Sequence, residues 1–281
     1  MTDTLKDAAL GVCAALGRRL RLRGLSVLAY HSIDDSGSYM STRPQMFREQ
    51  MEWLRDHGYR AISMRQRFER GEGGLERTVV LTFDDGLANF AETAWPVLRE
   101  MSFSATNYVP TAFIGGEAAW YPDYGLPRMP CMGWEALRAV RKEGADVQSH
   151  GHSHRDLAGL SRDERREELR RSKAMLEDGL GDSVEHLAYP FGGNSAEVRR
   201  DAQEAGYRSA VSLETGRWRA GTDPLGIPRQ DVDLIAIRTS KTARLCIEAC
   251  AEGTFGWYTA AKGRLRGLYA TPPHRNAAPR R

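Results

Sequence analysis

From about residue 25 onward, short apolar runs alternate with stretches in which apolar residues return every three or four positions. The short runs predict strands at residues 25–30, 59–62, 78–83, 105–109, 146–149, 184–189, 207–211 and 227–232. The three-to-four spacing predicts helices at 44–57, 88–101, 134–143, 162–179 and 196–205. Local punctuation agrees with these bounds. Ser161 and Glu164 make a capping box before the fourth helix. Gly58, Gly144, Gly181 and Gly206 stand where helices should stop. Strands written as apolar blocks, each followed by a helix, imply a mainly parallel sheet covered by helices. No glycine-rich phosphate loop follows the first strand, where the chain reads Tyr30-His31-Ser32-Ile33. Seven or eight such units therefore predict an α/β fold, a distorted (β/α)7-8 barrel in a single domain, and not an open doubly wound sheet.

The barrel is expected to occupy residues 25–262, between a basic amphipathic segment at 1–24 and a basic, flexible tail at 263–281. In the first segment Leu5, Ala9, Val12, Leu16 and Leu20 fall near one helical face, which suits packing on the domain or resting on a membrane. The 41% apolar and 27% charged residues are ordinary for a globular chain, and a net charge of +3 is too small to argue for nucleic acid. Its distribution is more informative. Basic residues gather in Gly17-Arg18-Arg19-Leu20-Arg21-Leu22-Arg23 and again from Lys262 onward, as solvated arms or as peripheral contacts to an anionic surface. The four cysteines have neither Cys-x-x-Cys spacing nor a disulfide framework, and Cys246 and Cys250 are expected as structural thiols in a helix. No run reaches the roughly 18 apolar residues of a membrane span. The apolar stretch at 8–16 is short, broken by Gly11 and followed by basic residues, unlike a secretory signal. A cytoplasmic protein is expected, with peripheral contact at the inner membrane face as an option.

Chemistry in a β/α barrel gathers at the C-terminal ends of the strands. The third strand ends in Phe83-Asp84-Asp85-Gly86. Two adjacent carboxylates need a cation or a proton between them, although Asp-Asp-Gly is also common turn vocabulary. The fifth strand ends in Ser149-His150-Gly151-His152-Ser153-His154, which holds three of the seven histidines. His150 and His154 have the spacing that puts two imidazoles on one side of a helical turn. One carboxylate with two imidazoles leaves coordination positions open for water and substrate, so the pattern suggests one divalent catalytic metal. Zinc is the first choice by donor type, with iron, cobalt, nickel and manganese as alternatives. The sixth strand ends in the stiff turn Tyr189-Pro190-Phe191-Gly192.

These motifs, in this order, resemble the polysaccharide deacetylases, the family-four carbohydrate esterases that share the nodulation-protein-B homology domain. The similarity runs from about 27 to 232 and includes Leu28-Ala29-Tyr30-His31, Ile114-Gly115-Gly116, His154-Arg155-Asp156-Leu157, Ala188-Tyr189-Pro190-Phe191-Gly192 and Ile227-Pro228-Arg229. Tyr-His on the first strand is closest to the exopolysaccharide-associated branch. The resemblance implies a divalent metal and hydrolysis of an N-acetyl group. It gives Asp84 the role of general base, Asp85, His150 and His154 those of metal ligands, and Phe191 an oxyanion-holding backbone N–H. Two departures matter. Ala188 stands where many members carry an arginine that steers the base, so Arg229 is expected to supply that charge. The Leu-x-His motif of the general acid is absent, and His274 is the one histidine after the last strand. His31 is the candidate for acid or supporting histidine, a buried hydrogen-bonding role being its alternative. Tyr189, Pro190, Trp120 and His152 are expected to touch substrate, His152 otherwise being a flanking polar residue. The aromatics Trp120, Tyr121, Tyr124 and Trp134 suit stacking on sugar rings or anchoring of their own loop. The expected activity is metal-dependent release of acetate from an N-acetylated amino sugar or glycan. The alternatives are a same-fold amidohydrolase or O-deacetylase acting on a small metabolite, and a metal-binding scaffold without catalysis. Oligomeric state is left open.

Overall fold

The structure, a computed structural model, describes residues 3–20, 22–71, 73–234, 237 and 239–259. The expected tail at 263–281 lies outside the described residues. The chain begins with α1 (Asp3–Leu20), β1 (Ser26–Tyr30), the short pair β2 (Ser32–Ile33) and β3 (Ser41–Thr42), α2 (Pro44–Asp56), β4 (Arg60–Ile62), α3 (Met64–Glu69) and β5 (Thr78–Phe83). It continues through α4 (Trp95–Glu100), β6 (Thr106–Val109), α5 (Trp134–Lys142), β7 (Asp146–Ser149), α6 (Arg162–Leu180) and β8 (His186–Ala188). The last elements are α7 (Ala196–Glu204), β9 (Ser209–Thr215), β10 (Ile227–Asp231) and α8 (Ser240–Ala251).

Seven parallel strands form a closed ring in the order β1-β10-β9-β8-β7-β6-β5, and five register pairs from Ser26↔Val79 to Tyr30↔Phe83 join β5 back to β1. The eighth strand, β4, pairs with the first half of β5, and β6 takes over that edge at Thr82↔Thr106. The protein is a single-domain (β/α)7 barrel with one strand wedged in at its N-terminal rim. Neither β1 nor β5 has an exposed position, because helices cover their outer face and side chains fill the lumen. The two-residue period of β5 sends Val80, with Val27, Tyr108, Ala188, Val211 and Ile227, into the barrel. Leu81 and Phe83 point the other way, where Phe83 meets Phe47 and Phe90 under the helices. Continued upward, the inward phase of Val80 and Thr82 delivers Asp84 to the barrel mouth.

Three local differences from the sequence pattern have physical causes. The helix expected at 88–101 opens as a π-turn over Phe90–Ala94, because Pro96 has no N–H to give to the preceding turn. Helix α3 has a single buried apolar residue, Met64, and so shows no periodicity; a Ser63–Gln66 capping box starts it. Helix α1 packs on α8 through Leu10, Cys13, Ala14 and Gly17, leaving Leu5, Val12, Leu16 and Leu20 outward. Gly17 permits the close approach, since a Cβ there would lie 2.5 Å from Glu252 Cβ. All four cysteines are buried free thiols. No helix among the described residues is long and apolar enough to cross a membrane.

Candidate active site

Three strand-to-helix turns meet at the C-terminal mouth, and each carries a non-glycine residue in the left-handed backbone region: Asp85 at φ 71°, His154 at φ 54° and Phe191 at φ 58°. Asp and His tolerate this region better than most residues, yet such conformations still cost on the order of 1–3 kcal/mol each. The backbone is thus bent against local preference where side chains must converge. The Asp84 N–H donates to the Tyr30 carbonyl (3.0 Å), which extends the β1–β5 ladder by one bond before the chain turns at Asp85 and Gly86.

Asp85, His150 and His154 bring one ligand atom each to within 4.8 Å of one another. Asp85 Oδ1 lies 3.5 Å from His150 Nε2 and 3.2 Å from His154 Nε2. His150 Nδ1 lies 2.8 Å from the Ala188 carbonyl, which can only accept, so the proton belongs on Nδ1 and the Nε2 lone pair faces the cluster. The Tyr121 hydroxyl donates to Asp85 Oδ2 (2.7 Å) and fixes the carboxylate plane. The His154 ring is clamped by Trp120, stacked at 3.9 Å, and by the edge of Phe191 at 4.8 Å. Burial raises the Asp85 carboxyl, but the two imidazoles beside it outweigh this and hold it well below the usual carboxylate range. Burial pushes His154 down, partly offset by Asp85. An ionised carboxylate beside a neutral imidazole, with the cavity open on one side, is donor chemistry that fits a divalent cation.

Beside this cluster Asp84 is gripped by the fully buried Arg229, whose two terminal nitrogens donate to Asp84 Oδ1 (2.8 Å) and Oδ2 (2.6 Å). Arg229 is itself fixed by the Ser212 carbonyl (3.0 Å) and the Thr82 hydroxyl (3.2 Å). Burial raises the Asp84 carboxyl, but the Arg229 guanidinium outweighs this and holds it below its ordinary value, leaving it ionised. His31 Nδ1 and the His31 N–H both bond Asp233 Oδ2, at 3.1 and 2.8 Å, and Thr42 donates to Asp233 Oδ1 (2.7 Å). His31 Nε2 then points across to Asp84 Oδ2 at 4.0 Å. Burial lowers His31, but the Asp233 bond and the charges of Asp85, Asp231 and Asp84 outweigh it and push it up to about 10.

A cavity of about 250 Å³ opens over these groups, and Tyr39, Met40, Trp120, Leu126, Tyr189, Phe191, Leu213 and Asp231 complete its wall. Three surface depressions, of about 820, 830 and 580 Å³, are larger but contain none of the converging groups. Of the residues singled out in the sequence, His31, Asp84, Asp85, Trp120, His150, His154, Tyr189 and Phe191 line the cavity, Arg229 lies beneath it, and Pro190 is buried behind the turn. The Tyr189 hydroxyl donates to the Leu225 carbonyl (2.8 Å). His152 does not join them: its Nδ1 bonds the Thr111 hydroxyl (2.8 Å) and its N–H donates to Glu168, so it ties two loops together. Trp134 lies against Gly179 on α6 and does not line the cavity. Sequence reasoning missed Asp233, the bond from Tyr121 to Asp85, and the rim residues Tyr39 and Leu213. Only Asp233 had a signal, a second acidic pair at Asp231-Val232-Asp233 just after the last strand.

The sequence profile of the polysaccharide deacetylase family matches residues 72–210. YxkH of Bacillus subtilis, named as a polysaccharide deacetylase, is 27% identical over 195 residues, which is 68% of this chain and 65% of YxkH. The poly-beta-1,6-N-acetyl-D-glucosamine N-deacetylase of Escherichia coli K12 is 30% identical over 137 residues, 45% of this chain and 20% of that enzyme. A crystal structure of a polysaccharide deacetylase from Bacillus cereus superposes with a TM-score of 0.67 at 26% identity, over 80% of this chain and 69% of that one. The matched region thus spans just under two thirds of YxkH and a fifth of the E. coli enzyme.

Proposed function

The chain belongs to the polysaccharide deacetylase family, and we propose that it is a metal-dependent N-deacetylase of an amino-sugar polymer, with β-1,6-linked N-acetylglucosamine as the first candidate. One observation carries this reading. A carboxylate clamped by Arg229 and a histidine backed by Asp233 face each other at 4.0 Å, beside a two-histidine, one-carboxylate donor set. The names of the relatives supply the polymer.

Asp85, His150 and His154 would hold the cation, zinc first by donor type, with iron, cobalt, nickel or manganese as alternatives. When bound, it supplies Lewis-acid polarisation of the acyl oxygen and acidifies water. Asp84 takes the proton of the attacking water; Arg229 keeps it ionised and aims its oxygens. The Phe191 turn, fixed in the left-handed region at the cavity wall, presents backbone toward the acyl oxygen. An amine leaves only when protonated, and His31 Nε2 holds that proton while Asp233 orients the ring from the far side. Half-exposed Tyr39, Phe191 and Leu213 offer apolar faces to sugar rings.

The direct test is acetate release by the metal-loaded protein from β-1,6-linked N-acetylglucosamine oligomers, chitin oligomers and O-acetylated xylan. Release from the N-acetylated substrates is expected; release from the O-acetylated polymer alone would move the assignment to an O-deacetylase. A second prediction isolates the acid. His31→Asn is expected to slow amide cleavage by about 10²-fold while leaving hydrolysis of an aryl acetate, whose leaving group needs no proton, nearly untouched. Asp233→Asn removes a bond that raises His31, so the high-pH fall of kcat/KM should move to lower pH. Equal losses on amide and aryl ester would reject the acid role.

A further inference from the structure

We propose that the outward face of α1 docks the protein on an anionic lipid bilayer. Helix α1 is anchored along α8 by its inner face: Leu10, Cys13 and Ala14 are buried, Thr242 donates to Asp7 (2.6 Å) and Thr254 donates to the Cys13 carbonyl (2.8 Å). Its opposite face carries Leu5, Val12, Leu16 and Leu20 at 59, 60, 40 and 51% exposure. Spacings of seven, four and four residues set these side chains in one stripe, which the exposed Ala8 and Ala15 continue. A helix that merely covers a globular domain turns polar residues to solvent there. Trp257, 43% exposed, lies just past Thr254, the residue that bonds α1, and adds the amphipathic ring common at membrane interfaces.

Charge selects the occupant. The stripe ends at Arg18, which pairs with Glu248, and at the exposed Arg19. Arg21 and Arg23 follow in the sequence, and the segment 262–281 holds Lys262, Arg264, Arg266, Arg275, Arg280 and Arg281 with no acidic residue. These ten cations exceed the net charge of +3, so the rest of the chain is net acidic. An apolar face that ends in Arg18 and Arg19, in a chain whose basic excess lies in its two terminal segments, complements anionic headgroups.

The full chain should co-sediment with vesicles of equal parts phosphatidylcholine and phosphatidylglycerol, less so as salt rises, and weakly with phosphatidylcholine alone. Val12→Glu with Leu16→Glu should weaken binding by about tenfold or more by removing apolar surface. Arg19→Gln should weaken it about fivefold on the mixed vesicles only. These side chains are exposed and remote from the cavity, so the thermal midpoint and acetate release from soluble oligomers should stay as in the wild type. Wild-type protein left in the supernatant of the mixed vesicles overturns the proposal, as does a double glutamate variant that pellets like wild type. So does light scattering that shows a dimer dissolved by that variant, which would give the stripe to a second copy.

Discussion

Replacing Asp84 with asparagine is expected to reduce deacetylation by about 10³-fold or more, toward the upper range for loss of a general base, with metal content unchanged. Asp84 lies outside the donor set, and its two oxygens are occupied by Arg229. Asparagine keeps the volume and one acceptor for the guanidinium but cannot take a proton from water. The exchange also leaves a buried guanidinium without its counter-charge, which costs stability on the scale of about 3–5 kcal/mol if nothing compensates. Turnover must therefore be measured well below the variant's own unfolding midpoint, with metal stoichiometry determined on the same sample. Arg229→Lys separates orientation from charge, since lysine supplies the cation without the two-pronged grip; it should fall between wild type and Asp84→Asn. An Asp84→Asn protein that keeps most of its turnover would remove Asp84 from the reaction, and one that loses its metal would make it a ligand.

The barrel and its mouth were legible because each rests on a local rule. Apolar blocks mark strands buried on both faces, and the Asp84-Asp85-Gly86 and His150–His154 motifs fall where such strands end. Arg229 was legible for a different reason: Ala188 left the base without its expected cation, and an arginine at the end of the last strand could reach it. What escaped depends on long-range geometry. Asp233 is separated from His31 by 202 positions, and only the closure of β10 onto β1 brings them together. The β4 wedge is a matter of which strand edge is free, which no periodicity records. In α1 both helix faces carry apolar residues, so α8 decides which is buried, and it takes the face of Leu10 and Ala14. His152 shows the limit of counting histidines, since its ring turns to Thr111 while its neighbours two positions away face Asp85.

His150→Ala, by contrast with the asparagine variant, is expected to lose metal and turnover together. It removes one of three donors, the one whose Nε2 is kept free by the bond from Nδ1 to the Ala188 carbonyl. Loss of a residue that only orients a ligand already weakens metal binding by roughly 10–100-fold, so loss of the ligand itself should take affinity below that. A chelator should abolish wild-type activity and added zinc restore it, while the same addition should not rescue His150→Ala. The metal-free protein offers an independent reading. Asp85 is held well below the usual carboxylate range by His150 and His154 together, so it contributes stability that is present above the unfolded-state value of about 3.9 and is lost as pH falls through the folded-state value. Without His150 that depression shrinks, and acid unfolding of the metal-free variant should begin at a higher pH than in the wild type. Full metal occupancy in His150→Ala would instead place the ion at the neighbouring His31, Asp231 and Asp233 group, and the roles of acid and ligand would have to be exchanged.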